Sequence, residues 1–407
     1  MDLSDIDLLD RDAFARGVPH EWFTYLRNNA PIYHHAEPDG GPGFWVITKY
    51  RDVYAVGRDA HTYSSDQDLG GVVGLEEPLV APPDYGEAKI MLSMDPPQHT
   101  RYRKLVNKGF TPRMIAALEP HIRDRAIAIL DEALAKGGEC DFVVDVAAEL
   151  PLQAIAELIG VPFEDRHKLF DWSNRMIGSE DPEYMVGENE AFAAQFEMFA
   201  YAAELAEQRK QEPRDDIMTA LLNAEMDGDK LTDMEFNLFF LLLAVAGNET
   251  TRNAISHGLN AFLEHPEQWD DLVGDIDGAI GSATEEILRW ASPVMYFRRN
   301  VIQDTTLSGV DFKAGEKVSI WYCSANRDED VFDDPFRFDI RRQPNDHLAF
   351  GGGGPHFCLG ASLARMEIRV LFEELARRVP HLTRLGPTDP LRSNFIGGIK
   401  HLPMAFS

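Results

Sequence analysis

Basic residues, cysteines and long apolar stretches are all scarce in this chain of 407 residues. Lysine and arginine number 39 against 68 aspartates and glutamates, a formal charge of −29 at pH 7. That balance repels phosphate backbones and argues against a nucleic-acid partner, while keeping the protein dispersed in water. The longest apolar run, Leu238 to Ala246, is far short of the ~20 residues a spanning helix needs. The opening stretch, Met1-Asp-Leu-Ser-Asp-Ile-Asp7, lacks both the basic region and the apolar core of a signal peptide. Thiols occur at Cys140, Cys323 and Cys358 alone, an odd and sparse set that suits a reducing cytosol. These absences predict a soluble, cytoplasmic protein with no membrane span.

Linkers and internal repeats are also missing. A length prior of roughly 150 residues per domain would suggest two or three units, and a hydrophobic content of 44% is ample for a large core. Helical periodicity runs through Met114 to Lys136, Leu150 to Ile159, Glu164 to Ile177, Glu188 to Arg209, Asp215 to Glu225, Asp233 to Leu263 and Met366 to Arg378. Asp95 is placed to cap a helix that Pro96 begins. Gly43 to Tyr50 reads as a strand, as do the alternating, β-branched stretches Thr305 to Phe312 and Glu316 to Cys323. Ser393 to Leu402, with Gly397 and Gly398, reads as a tight turn between short strands. Asp68 to Lys89 is a long loop, and loops of that length are usually lids or binding loops. The pattern predicts a mainly α fold with a small β portion.

What the chain does have is concentrated in Leu348-Ala-Phe-Gly-Gly-Gly-Gly-Pro-His-Phe-Cys-Leu-Gly-Ala361. A run of glycines lets backbone approach a flat ligand closely. The helix start that follows Cys358 favours a thiolate, and a thiolate on such a loop suits axial ligation of haem iron. Taken alone, a cysteine there is more often a small buried residue of a turn. In Ala246-Gly-Asn-Glu-Thr-Thr251, small residues leave room against a helix, and Glu249 and Thr250 set a carboxylate and a hydroxyl beside that room. Reducing dioxygen needs protons delivered without flooding the site, which such a pair can do. The competing reading is a helix surface whose threonine bonds back to the preceding turn. His99 and Arg103 share a helix face, as do Glu286 and Arg289.

Together these stretches resemble the cytochrome P-450 monooxygenases. Phe350 to Gly360, with His356 two residues before Cys358, resembles the haem-thiolate signature, and Val245 to Thr251 the oxygen-activating helix. Glu286-Ile-Leu-Arg289 is similar to the family's Glu-x-x-Arg motif and Asp95 to Arg103 to its haem-propionate helix. All occur in the family's order, from about Phe44 to Met404. The resemblance implies a single domain over residues 1–407, a large helical body with a small β-sheet portion, and haem b with Cys358 as the metal ligand. It implies that His99, Arg103, Arg299 and His356 hold the propionates, and that Ala246, Phe350, Gly351 and Gly360 line the haem. Glu249 and Thr250 are implied to deliver protons. Glu286 and Arg289 are implied to be buried and joined by Arg337, assembling the haem pocket, with Phe336 where relatives often carry a glutamate. The segment from Phe350 to Cys358 is one glycine longer than the commonest family pattern, which implies a bulge that leaves His356 and Cys358 in register.

The expected substrate pocket is apolar: Leu242, Val245, Ala246, Val294, Met295, Phe297, Phe395 and Ile396, with Arg298 the one charge that could point inward. Longer stretches, among them Leu242 to Asn253 and Trp321 to Asp328, resemble the actinobacterial branch that hydroxylates methyl-branched lipids and sterol side chains. That points to terminal (ω) hydroxylation of a hydrophobic substrate by O2, with electrons from a ferredoxin and its reductase. The alternatives are a tailoring hydroxylase of a polyketide or terpenoid pathway, or, in another class, a non-catalytic haem protein that binds gas or carries electrons. Glu249 and Thr250 argue against the last, since a carrier has no use for a proton relay. An acidic ferredoxin would need a local basic patch, for which Arg101, Lys104, Lys108, Arg341, Arg342 and Arg365 are the candidates.

Overall fold

The computed structural model describes residues 1–76, 85–107, 110–185, 187, 189–226 and 229–406. Part of the long loop (77–84), Lys108 and Glu188 lie outside the described residues. Helices take up 53% of the structure. The fold is mainly α with a small β portion.

The helices that build the site are α1 (Gln98–Asn107), α2 (Pro112–Ala135), α3 (Glu149–Ile159), α4 (Arg166–Ile177), α5 (Glu190–Gln211), α6 (Asp233–Glu264), α7 (Ile276–Ala291) and α8 (Ala361–Arg378). Asp95 does not cap α1. Its carboxylate accepts from the Ser65 N–H at 2.8 Å and from the Ser64 hydroxyl, tying the helix entrance to the neighbouring strand. The helix expected over Asp215 to Glu225 shrinks to Ile217–Leu222. Asp216 caps it by accepting from the Thr219 N–H at 2.7 Å, and a short hairpin of Glu225–Met226 with Asp229–Lys230 takes over at its end.

Helix α6 is the longest, 32 residues and about 48 Å. It opens with a capping box, Thr232 and Glu235 each satisfying the other's backbone N–H. Apolar side chains surround its middle, so it is packed on nearly every side by the helical core. A Cβ on Gly247 would come within 2.8 Å of Ile155 Cδ1, so glycine there is what lets α3 lie close against α6. Among the described residues no helix is long and apolar enough to cross a membrane.

The main sheet contains β1 (Ile32–His35), β2 (Phe44–Ile47), β3 (Tyr63–Ser64), β4 (Tyr296–Val301) and β5 (Lys317–Trp321), in the order β1-β2-β5-β4-β3. The β2–β5 pair is parallel and the others antiparallel. Strand alternation along β4 sends Phe297 and Arg299 to one face and Arg298 to the other. Arg298 accordingly bonds Asn300 and the carbonyls of Leu69 and Gly74. Its inward orientation is thus excluded. Thr305 to Phe312 forms a hairpin (Thr305–Leu307 with Val310–Phe312), while Cys323 falls on a short helix, Tyr322–Ala325, just past β5. Around Gly397 and Gly398 the expected strand pair reduces to a bridge between Ile396 and Val294, then a strand Ile399–His401 paired with Asp389–Pro390.

Candidate active site

A cavity of about 230 Å³ opens between α6, the start of α8, α1 and β4, and the glycine loop forms one wall. Two of the glycines serve packing as well as any ligand. A Cβ at Gly352 would stand 2.9 Å from Tyr54 Cδ2, and one at Gly354, whose φ is +79°, would stand 2.7 Å from the Gly57 carbonyl. The loop therefore lies flat on the helix Tyr50–Arg58, and glycine alone permits it. The expected bulge closes where the Cys358 N–H donates to the Phe350 carbonyl at 3.0 Å. Phe350 stays in the cavity wall, with the Arg365 guanidinium 4.6 Å above its ring.

Cys358 opens its thiol to the cavity. Surrounding protein pushes the thiol's pKa up by burial, against the N–H groups of Gly360 and Ala361 at the start of α8 and the charges of Arg103 and Arg365, which favour the thiolate.

At one corner stand His99, Arg103, Arg299 and His356. The two imidazoles lie 4.2 Å apart. Burial, then neighbouring cations, lowers the pKa of His99 to about 4 and of His356 to about 2, so both are neutral at pH 7. His99 Nδ1 and His356 Nε2 are buried without a hydrogen-bond partner. Arg299, 4% exposed, donates to the Arg298 carbonyl, and Arg103 donates to the Pro355 carbonyl; no carboxylate pairs with either among the described residues. Two guanidinium groups and two orphaned imidazoles facing one space fit the two propionates of a haem, and Cys358 in the same cavity fits its iron.

On the α6 wall, Ala246, Gly247, Thr250 and Thr251 line the cavity. The helix is unbroken there, and the Thr250 hydroxyl donates back to the Ala246 carbonyl at 2.9 Å while facing the open space. Glu249 does not line the cavity. It turns away and accepts from Arg252 at 2.5 Å, and Arg252 in turn donates to Asn174 of α4 at 2.8 Å. Burial raises the Glu249 pKa, with Arg252 opposing. A helix rotates each residue about 100° from the last, and on the side of Thr250 toward the helix start that rotation carries Glu249 to Arg252 and away from the cavity.

Of the expected substrate residues, Leu242, Ala246, Val294 and Phe297 line the cavity. The other four do not. Val245 packs into the helical core, Met295 and Phe395 belong to a separate cluster with Tyr296 and Trp321, and Ile396 is buried in its bridge to Val294. Met91, Leu92 and Phe110 from the chain around α1 also line the wall and had no periodic signal, because they stand in short 3₁₀ segments.

Behind the loop, Glu286 and Arg289 are completely buried. Arg289 makes paired bonds of 2.7 and 2.8 Å to the carboxylate and two more to the carbonyls of Asn326 and Pro335. Glu286 also accepts from the Asp339 N–H, Asn345 and Arg342. The third cation is therefore Arg342, and the expectation of Arg337 is corrected. A turn closed from the Arg337 N–H to the Asp334 carbonyl leaves the Arg337 side chain exposed and its carbonyl turned inward, toward Arg289 and Arg342. Arg342 is thereby lost as a surface docking residue. Arg341 is paired with Asp271 and Asp275, and Arg365 with Glu285; Lys104 is exposed on α1.

A family model described as Cytochrome P450 matches residues 19–382. A steroid C26-monooxygenase of Rhodococcus jostii (strain RHA1) is 45% identical over 405 residues, 98% of this chain and 84% of that one. A methyl-branched lipid omega-hydroxylase of Mycobacterium tuberculosis (strain ATCC 25618 / H37Rv) is 44% identical over 414 residues, 100% of this chain and 95% of the other. Among solved structures, a Mycobacterium marinum cytochrome P450 in complex with pseudoionone superposes with a TM-score of 0.91 at 40% identity, covering 98% of both chains.

Proposed function

The chain belongs to the cytochrome P450 family, and on that premise we propose that it hydroxylates the terminal carbon of a branched aliphatic tail, on a methyl-branched lipid or a steroid side chain. It is a haem-dependent monooxygenase, consuming O2 and acting on a hydrophobic substrate. The observation that carries the assignment of residues is one cavity shared by the Cys358 thiol, the Thr250 hydroxyl and a cationic corner with no anion of its own.

The haem, when bound, supplies the activation of dioxygen for insertion into an unreactive C–H bond, and a thiolate ligand favours O–O cleavage. Cys358 would be that ligand. Arg103 and Arg299 would hold the propionates by charge, and His99 and His356 by neutral N–H donation. Thr250 offers its hydroxyl to the reacting oxygen and must release the Ala246 carbonyl to donate there. Glu249 reaches it only by leaving Arg252. Leu242, Val294 and Phe297 enclose an apolar tail. The Glu286–Arg289–Arg342 knot holds the segment before the loop in place.

Polyketide or terpenoid tailoring shares these residues. The steroid and branched-lipid enzymes, at 44–46% identity, stand nearer than the Bacillus subtilis bacillaene synthase cytochrome P450 at 33%, which favours the first reading. Electrons come from a ferredoxin, docked by Arg101 and Lys104 on α1. Lys104→Glu slows ferredoxin-driven reduction, steeply at low salt and weakly at high salt, without changing substrate affinity.

The test is spectroscopic. The ferrous carbonyl complex of the wild type shows the red-shifted Soret band of a thiolate, and sterols or branched fatty acids shift the ferric Soret band. Cys358→His abolishes the first signal; Cys140→Ser and Cys323→Ser keep it. A thiolate spectrum in Cys358→Ala refutes the ligand, and a shift with terpenoids alone refutes the substrate class.

A further inference from the structure

Phe350 stands eight residues before Cys358, and the four glycines that follow it offer no side chain to fix its ring. The ring is fixed from outside the glycine run. The Arg365 guanidinium, on α8, lies 4.6 Å above it, and the His347 ring lies 6.0 Å away, tilted by 50°. Both of those groups converge on one carboxylate, Glu285 of α7. Arg365 donates to its two oxygens at 2.7 and 2.9 Å, a paired fork, and His347 Nε2 meets it at 3.1 Å. His347 Nδ1 accepts from the Ala349 N–H at 3.2 Å, so Nε2 carries the proton that goes to Glu285. Burial raises the Glu285 pKa, but His347 and Arg365 together bring it down to about 2. Glu286, next in sequence, gives its oxygens to Arg289 and Arg342 instead.

What Glu285 secures is the position of one cation. A guanidinium over a phenylalanine face is held weakly by the stack alone, whereas a paired fork to a carboxylate fixes its plane. The member of the ion pair that packs on the ring is the cation, so a positive end is presented to the loop. Phe350 joins that charge to the cysteine, since its carbonyl accepts the Cys358 N–H at 3.0 Å. Arg365 is also among the cations that favour the Cys358 thiolate. A fixed cation near an iron ligand stabilises whichever redox state carries one more electron.

We infer that Arg365, fixed by Glu285, tunes the haem iron from the cysteine side: its charge draws electron density on the Cys358 sulfur, weakens the sulfur's donation and makes the iron easier to reduce. This rests on the reading above that Cys358 is the ligand. Arg365 is a positioning residue, acting through Phe350 and Cys358 and touching neither substrate nor oxygen. Glu285 and His347 serve it by holding the guanidinium and the ring against each other. No bond forms or breaks, and the electron is the one the reaction already draws from its ferredoxin.

Arg365→Met keeps the length of the side chain and removes its charge; Arg365→Lys keeps the charge and loses the fork. A dye-mediated reductive titration, which bypasses ferredoxin docking, reads the potential. In Arg365→Met the one-electron reduction constant falls about tenfold, ~59 mV. The C–O stretch of its ferrous carbonyl complex moves to lower frequency, as a more strongly donating thiolate requires. Arg365→Lys restores most of both. A role confined to packing moves stability alone: a shifted thermal unfolding of Arg365→Met, with potential and C–O stretch as in wild type, overturns the proposal. So does an Arg365→Lys that falls as far as Arg365→Met, since the effect then lies in the stack and not in the charge. Where Arg365→Met does not take up haem, Arg365→Gln, still able to donate to Glu285, is read in the same way. A wild type without the thiolate carbonyl spectrum would instead strike the Cys358 assignment.

Discussion

The Glu286–Arg289 knot and the corner of His99, Arg103, Arg299 and His356 are both buried collections of ionisable groups, satisfied in opposite ways. In the knot every charge meets another: Arg289 fills its donors with Glu286 and two carbonyls, and Arg342 and Asn345 complete the carboxylate. In the corner, among the described residues, two imidazole nitrogens have no partner and two guanidinium groups meet no anion. A cluster complete in itself is built to hold the chain. One left incomplete is built to hold something else. The second state is tolerable because neutral histidines cost less to bury than charged ones, and because arginine is more weakly hydrated than an ammonium.

The sharpest way to break this contrast is Glu286→Ala. It strands a fully buried Arg289, and such stranded charges cost about 3–5 kcal/mol. Denaturant unfolding should show a loss of that size; a loss below about 1 kcal/mol would mean the knot is not self-sufficient. Arg299→Ala should behave in reverse. The apoprotein keeps its stability or gains, since an unpaired buried cation is removed, whereas the haem complex loses the ~1.5–3 kcal/mol of a hydrogen bond to a charged group. Thermal unfolding of the apoprotein and haem dissociation rates separate the two.

A smaller effect distinguishes the two candidate third arginines. Arg342→Ala should cost ~1–3 kcal/mol by leaving buried oxygens unsatisfied, and Arg337→Ala should stay within about ±0.5 kcal/mol, as exposed substitutions do. Equal costs would restore Arg337 to the knot. The last effect is in pH. His99 has a folded pKa of about 4, below its ordinary value of 6.5. The unfolded chain therefore binds the extra proton between those values, so the His99 share of apoprotein stability falls as pH drops from 6.5 toward 4 and levels off below, while His356, lowered to about 2, carries its own loss further down. His99→Gln should lessen the slope between 6.5 and 4 in a denaturation series; an unchanged slope would place the titration elsewhere.

Local motifs carried the reading as far as direction along the chain allowed. Glu286 and Arg289 are adjacent on a helix by spacing alone, and the cysteine loop is continuous in sequence, so both were legible. Arg337 was misjudged because a turn decides which of two arginines faces inward, and that turn is made with Asp334. Glu249 adjoins Thr250 and so is expected at the cavity, yet Arg252, one turn on, claims its carboxyl. Val245, Met295, Phe395 and Ile396 are as apolar as Val294 and Phe297, and nothing in an apolar side chain says which cluster it joins.

By itself the sequence determined the thiol loop, the long α6 with its Ala-Gly-Asn-Glu-Thr stretch, the Glu286–Arg289 pair and the net charge of −29, since each depends on neighbours along the chain or on sums over it. Only the tertiary structure decided that Arg342 completes the knot and that Glu249 turns to Arg252. Those are questions of which groups meet across elements far apart in sequence. A buried charge is stabilised by whichever partner the packing brings within hydrogen-bond reach, and spacing along one helix does not specify that partner.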